Sequence, residues 1–217
     1  MDEIKLDLTD RKILYEIDKK NRISNAQLAR KVKKSRESVK YRINQLQQKG
    51  ILQGFITSIN PNKLGYHMFK VYLKLENNPK ERKKFYTSLK QNKDIYWLGI
   101  SDGAFDSVLA ILAKSTVEYF VIINQLFNKW QHLIISKTLG TMVDTKQYNK
   151  KFFLENSKES ATKVVTFGAE VVENSIDQLD SKILNILAND ARIPVAELAR
   201  KTSSTIEIVR RRMKILD

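Results

Sequence analysis

Apolar residues return at helical spacing three times within the first fifty positions. Ile13, Leu14 and Ile17 form one stripe, Leu28 and Val32 a second, and Val39, Ile43 and Leu46 a third. Each stripe follows a start signal: Asp7 with Asp10 three residues on, Ser24 with Gln27 in the same register, and Ser35 ahead of the third, which Gly50 ends. "ILQGFITSINP" then alternates and is rich in β-formers, so it is expected to be the strand of a wing. Helix, helix, turn, helix, strand predicts a winged helix-turn-helix over residues 1–60.

A different rhythm begins at residue 67. In "HMFKVYLKLE", Phe69, Val71, Leu73 and Leu75 alternate with Lys70, Tyr72 and Lys74, as in a strand buried on one face. After Pro79, "KERKKFYTSLKQ" is helical with Phe85 and Leu89 inward. "IYWLGI" and "SVLAILA" are apolar strands joined by "SDGAFD", where Asp102-Gly103 signals a turn. A strongly apolar helix, "STVEYFVIINQLFNKWQHL", and a last strand, "IISKTLGTMV", complete the order βαββαβ. That order predicts a ferredoxin-like layer of helices on an antiparallel sheet over residues 61–148, and an α+β fold class for the whole chain.

The first pattern then recurs without gaps, 170 positions later. Asp7, Asp10, Ile13, Arg22, Leu28, Val39, Arg42 and Leu46 reappear as Asp177, Asp180, Ile183, Arg192, Leu198, Val209, Arg212 and Leu216. So wide an offset marks a duplicated domain rather than a solenoid. The second copy, residues 176–217, reaches only into its third helix and is expected to be truncated, with a cut chain and an incomplete half both open. Between the blocks lies a connector, residues 149–175, in which "KFFL" and "KVVTF" are expected to be two short strands around a polar loop.

Charge adds a partner to this outline. The formal net charge is +15, and residues 1–60 hold 14 Lys and Arg against 7 Asp and Glu. Such a basic density suits a polyanion. Cysteine is absent, which excludes disulfides and thiolate zinc sites. "MDEIKLDLTD" has acids where a secretory leader needs a basic and then an apolar region, and no apolar run reaches about 18 residues, so an intracellular, cytoplasmic protein without membrane contact is expected.

The candidate chemistry lies on the third helix. In a helix-turn-helix this element enters the major groove and its leading end meets base edges and phosphates. With Val39, Ile43 and Leu46 inward, Arg36, Lys40, Tyr41 and Asn44 fall on the outer flanks, and Lys34, Ser35 and Ser38 at the leading end. These are donors and a planar phenol, suited to the acceptors of double-stranded DNA. Arg42 recurs as Arg212, which leaves two roles open for it: a salt bridge to the first helix or a phosphate contact. In the second copy Ile206 and Ile208 replace Arg36 and Ser38, and Pro194 replaces the cap Ser24. Apolar residues at a leading edge suit protein contact or masking better than base edges. The two histidines, His67 and His132, have no acids at metal or triad spacing, so neither a metal site nor a catalytic residue is expected.

A winged helix-turn-helix joined to βαββαβ, with "DGAFD" between the second and third strands, resembles the Lrp/AsnC (feast/famine) family of transcription regulators. "LTDRKIL", "ISNAQLARKV" and "SRESVKYRINQLQQKGIL" are family-like too, so the resemblance covers about residues 6 to 148. A second C-terminal helix-turn-helix is similar to a subset found mainly in archaea. The resemblance implies a nucleoid-associated regulator without a cofactor, assembled as a homodimer or a higher oligomer such as an octamer through its sheets. It also implies a small-molecule effector, typically an amino acid, at Ser101, Asp102, Gly103, Ala104, Phe105 and Asp106. Asp106 would receive the ammonium group and backbone around Gly103 the carboxylate; the alternative is that Gly103 makes a turn and Asp106 caps a loop. Two other functions remain open on this scaffold: an architectural DNA-wrapping protein, and an enzyme, because sirohaem decarboxylases look like this family.

Overall fold

The computed structural model describes residues 5–148, 150, 153–154, 164–168, 170–172 and 174–216. They divide into two units. One draws on residues 1–59, 147–165 and 176–217, the other on 60–146 and 166–175.

The first unit contains both helix-turn-helix copies. Helices α1 (Leu8–Lys19), α2 (Asn25–Val32) and α3 (Arg36–Gln48) start where the sequence signals them: Asp7 and Ser24 each form a complete capping box, and Ser35 accepts from Ser38 N–H. Ile13, Leu14, Ile17, Ile23, Leu28, Val32, Val39, Ile43 and Leu46 make one core. Residues 51–60 differ from expectation. They bend at Ile51 and Leu52 and join no sheet, and the backbone of Phe55 and Thr57 bonds instead to Ala191 and Leu187. The second copy repeats the arrangement in α6 (Gln178–Asn189), α7 (Val195–Lys201) and α8 (Ile206–Leu216), around Ile183, Leu187, Ile193, Leu198 and Val209. Sequence alone separates the two copies by domain; in space they share a unit.

The second unit is the expected βαββαβ layer. It comprises β1 (His67–Leu75), α4 (Pro79–Gln91), β2 (Ile95–Ile100), β3 (Ser107–Ala113), α5 (Thr116–Trp130) and β4 (Ile134–Thr141). The strand order is β2-β3-β1-β4, antiparallel at each of the three pairings. Along β1, Phe69, Val71, Leu73 and Leu75 turn toward Phe85 and Leu89 of α4 and Tyr119, Ile123 and Phe127 of α5. Burial of these side chains holds the helices on one sheet face.

Near the connector, β5 (Asp144–Gln147) pairs with β6 (Val165–Gly168). The strand expected in "KVVTF" is therefore present, displaced toward its end, but its partner is Asp144–Gln147. Of "KFFL", the first two positions lie outside the described residues, and Phe153 packs on the first copy's core.

Candidate nucleic-acid interface and loop site

A left-handed residue, Lys33 at φ 54°, turns the chain between α2 and α3. Beyond the turn, α3 buries Val39, Ile43 and Leu46 in the core and leaves its other face outside. Lys34, Ser35, Arg36, Lys40 and Asn44 are exposed, and Tyr41 keeps 64% of its surface. Ser38 is half-buried, with its N–H on Ser35 Oγ at 3.1 Å. Among the described residues Lys34, Arg36 and Lys40 have no ion-pair partner, so their charge faces solvent. Seven of the eight residues expected to meet DNA from this helix thus share an outward face or its edge.

Arg42 is the exception. Its Nη1 donates to Asp7 Oδ2 and to Asp10 Oδ1, both at 2.7 Å, which ties α3 to the start of α1. The Asp10 and Asp7 carboxylates raise the Arg42 pKa, while the Asp10 N–H, opposed by desolvation and helped by Arg42, lowers that of Asp7. Of its two possible roles, Arg42 takes the structural one here. Arg212 repeats the clamp on Asp177 and Asp180, and Ser203 at φ 53° repeats the turn. Thr205 Oγ1 caps Ile208 N–H at 3.3 Å, whereas Pro194 gives α7 no side-chain cap.

The loop between β2 and β3 is tightly self-bonded. Asp106 is only 5% exposed. Its Oδ2 accepts from Leu75 N–H at 2.8 Å and lies 3.5 Å from Lys74 Nζ, and its Oδ1 accepts from Arg82 Nη1 at 3.2 Å. Burial pushes the carboxyl pKa up, but the Leu75 N–H, Arg82 and Lys74 outweigh it and hold the pKa below the ordinary value. An ammonium group arriving at Asp106 would have to displace these partners. The carboxylate expected to meet a ligand instead anchors the loop. Ser101, Asp102, Gly103 and Ala104 are exposed, while Phe105 packs on Tyr72 at 5.2 Å. Gly103 sits at φ +121°, and its carbonyl accepts from Lys74 Nζ at 2.9 Å. Sequence reasoning missed Lys74 and Arg82. Only the alternation placing Lys74 on the sheet face opposite the helices hinted at it.

His132 Nε2 lies 3.5 Å from Glu81 and His67 lies beside Phe69. Among the described residues no three His, Asp or Glu side chains come together as a metal-binding group. Nor is any described helix long and apolar enough to cross a membrane.

Comparison with known proteins agrees with this architecture. A sequence model of winged helix-turn-helix DNA-binding domains matches residues 6–53, and one of AsnC-type helix-turn-helix domains matches residues 176–217. An uncharacterised HTH-type transcriptional regulator of Pyrococcus horikoshii is 28% identical over 116 residues, 54% of this chain and 73% of the relative. The leucine-responsive regulatory protein of Escherichia coli is 26% identical over 148 residues, 67% of this chain and 90% of the relative. Among solved structures, a transcriptional regulator of Neisseria meningitidis in complex with L-Met superposes with a TM-score of 0.59 at 18% identity. That match covers 67% of this chain and 95% of the other.

Proposed function

The chain belongs to the Lrp/AsnC family of transcription regulators, a DNA-binding family, and from there we propose that α3 reads its operator while the loop 101–106 takes a small effector, an amino acid. The observation that carries the DNA part is the outward face of α3. Lys34, Arg36 and Lys40 are exposed and without an ion-pair partner among the described residues, beside Tyr41 and Asn44, on a helix fixed from behind by Val39, Ile43, Leu46 and the Arg42 clamp. Cations supply the sequence-independent attraction to phosphate, and Tyr41 and Asn44 the groups for base edges. Arg42 stays out of that set.

For the effector, Asp106 acts from behind. It fixes the loop on which Ser101, Asp102, Gly103 and Ala104 are exposed to an arriving ligand. The L-Met bound to the Neisseria regulator supports an amino acid as the ligand class. Self-association through the open sheet face accompanies this function, since Trp97 stays 49% exposed there under Lys70.

The test is equilibrium binding of the full chain to a duplex selected from random DNA, repeated over a range of salt. Lys34→Ala with Arg36→Ala weakens binding and reduces the slope of log K on log salt by about 0.9 for each phosphate that the variant no longer neutralises. An unchanged slope removes α3 from the interface. An amino-acid panel added to the same assay shifts the affinity if the loop is an effector site, and Asp106→Ala, which loosens the loop, abolishes that shift.

A further inference from the structure

The two helix-turn-helix copies hold each other by one contact used twice. Arg22 Nη1 and Nη2 donate to the carbonyl oxygens of Ala191 and Ile193, the second at 3.2 Å. Arg192 Nε and Nη2 donate to those of Asn21 and Ile23, at 2.6 and 3.1 Å. A shift of 170 positions converts each donor and each acceptor of one set into those of the other. The patch is therefore self-complementary, the mark of an isologous two-fold interface, built here inside a single chain. The accepting carbonyls follow the C-terminal ends of α1 and α6, where a helix favours cations, and the planar guanidinium spans two of them. Arg192 also stacks 3.9 Å over Phe55. Ala191 N–H donates to Phe55 O at 2.7 Å, and Thr57 N–H to Leu187 O at 3.1 Å.

This clasp uses the turns after α1 and α6 and the stretch 55–57. It leaves both third helices uncovered. On α8, Ile206, Ile208, Arg210, Arg211 and Lys214 are all exposed, at the positions where α3 carries Arg36, Ser38, Lys40, Tyr41 and Asn44. The second copy therefore does not mask the first. Its turn, its cap at Thr205 and its clamp at Arg212 reproduce the framework that presents α3.

We propose that α8 is a second DNA reader, locked to the first by the arginine clasp, so that one chain recognises two unlike half-sites of a duplex. Arg210, Arg211 and Lys214 hold phosphates. Ile206 and Ile208 meet thymine methyl groups, one of the few features of a base edge that an apolar side chain can read. Three outward cations around two isoleucines match a polyanion better than an apolar protein surface. The inference rests on the reading of α3 as a DNA-binding helix, and its test separates the two.

The full chain is footprinted on a selected duplex, and affinities are measured over a range of salt. The wild-type protein protects two half-sites of different sequence. Arg210→Gln with Arg211→Gln, both on exposed side chains, shortens the footprint to the α3 half and lowers the salt slope by about 1.8 for two phosphates. Replacing thymine by uracil in the other half, which removes only the 5-methyl group, weakens wild-type binding about fourfold per methyl touched. An unchanged footprint and slope in the Arg210/Arg211 variant, or indifference to uracil, overturns the proposal. If Lys34→Ala with Arg36→Ala leaves its half-site protected while the Arg210/Arg211 variant loses its own, the reading of α3 falls and the second reader stands.

Discussion

Arg42 Nη1 touches Asp7 and Asp10 at the same 2.7 Å, so one guanidinium joins the first and third helices. Arg42→Ala is expected to lower stability by about 1 kcal/mol, a hydrogen-bonded charge pair discounted for the exposure of Asp7. Chemical denaturation measures it. The pH sign follows from Asp7, whose pKa is lowered in the folded state. Its contribution is complete above the ordinary value of 3.8 and disappears as pH falls through the lowered one; Arg42→Ala reduces this acid limb without removing it, because the Asp10 N–H, the largest cause, remains. Asp106 obeys the same rule, with a depressed pKa and stability lost only in acid. Asp106→Ala leaves the Leu75 N–H without its acceptor at a buried site and costs about 1–3 kcal/mol. Asp106→Asn retains an acceptor and costs less, measured by the same denaturation. The recurrence of Arg42 as Arg212 put a salt bridge to the first helix among its two readings in the sequence, and only the structure gave the partners. The partners of Asp106 were not readable there either, because Lys74 and Arg82 lie 32 and 24 residues away and meet it only once β1, α4 and β3 have assembled.

Local signals placed the helices well. Capping boxes at Asp7, Ser24 and Asp177 are decided within four residues, and the alternation in β1 registers burial on one face; both are visible in sequence. Other elements depend on distant partners. Asp144–Gln147 is a polar, largely exposed strand that exists by pairing with β6, and nothing in "DTKQ" announces it. The stretch 51–60 has the composition of a strand, yet Phe55 and Thr57 find their backbone partners in the second copy. At the β2–β3 turn the requirement is conformational: a Cβ at Gly103 meets nothing within 4 Å, but φ +121° is strained for any side chain. Gly103→Ala is therefore expected to cost about 1–3 kcal/mol from backbone strain alone. Thermal unfolding of the full chain reads the cost. A value near zero would show that the turn relaxes.

Across the whole chain, duplication creates a unit that neither copy specifies separately. A gap-free repeat at 170 positions reveals two similar domains but not that they meet, because Arg22 and Arg192 each look like solvated turn residues until the carbonyls opposite them are known. The reciprocity has a measurable consequence. Arg22 and Arg192 each bond to the turn that carries the other, so either substitution alone leaves the opposite half of the clasp in place, and the two effects are coupled rather than additive. The amides of Ala191 and Thr57 report the closed state directly, since each donates across the copies. In the wild-type chain they exchange with solvent only when the clasp opens. In Arg22→Ala with Arg192→Ala both amides exchange faster, while those within α1 and α3, which bond inside their own copy, keep their protection. If all four regions lost protection together, the copies would be one cooperative core; if none changed, backbone pairing of residues 55–57 would be enough to hold them.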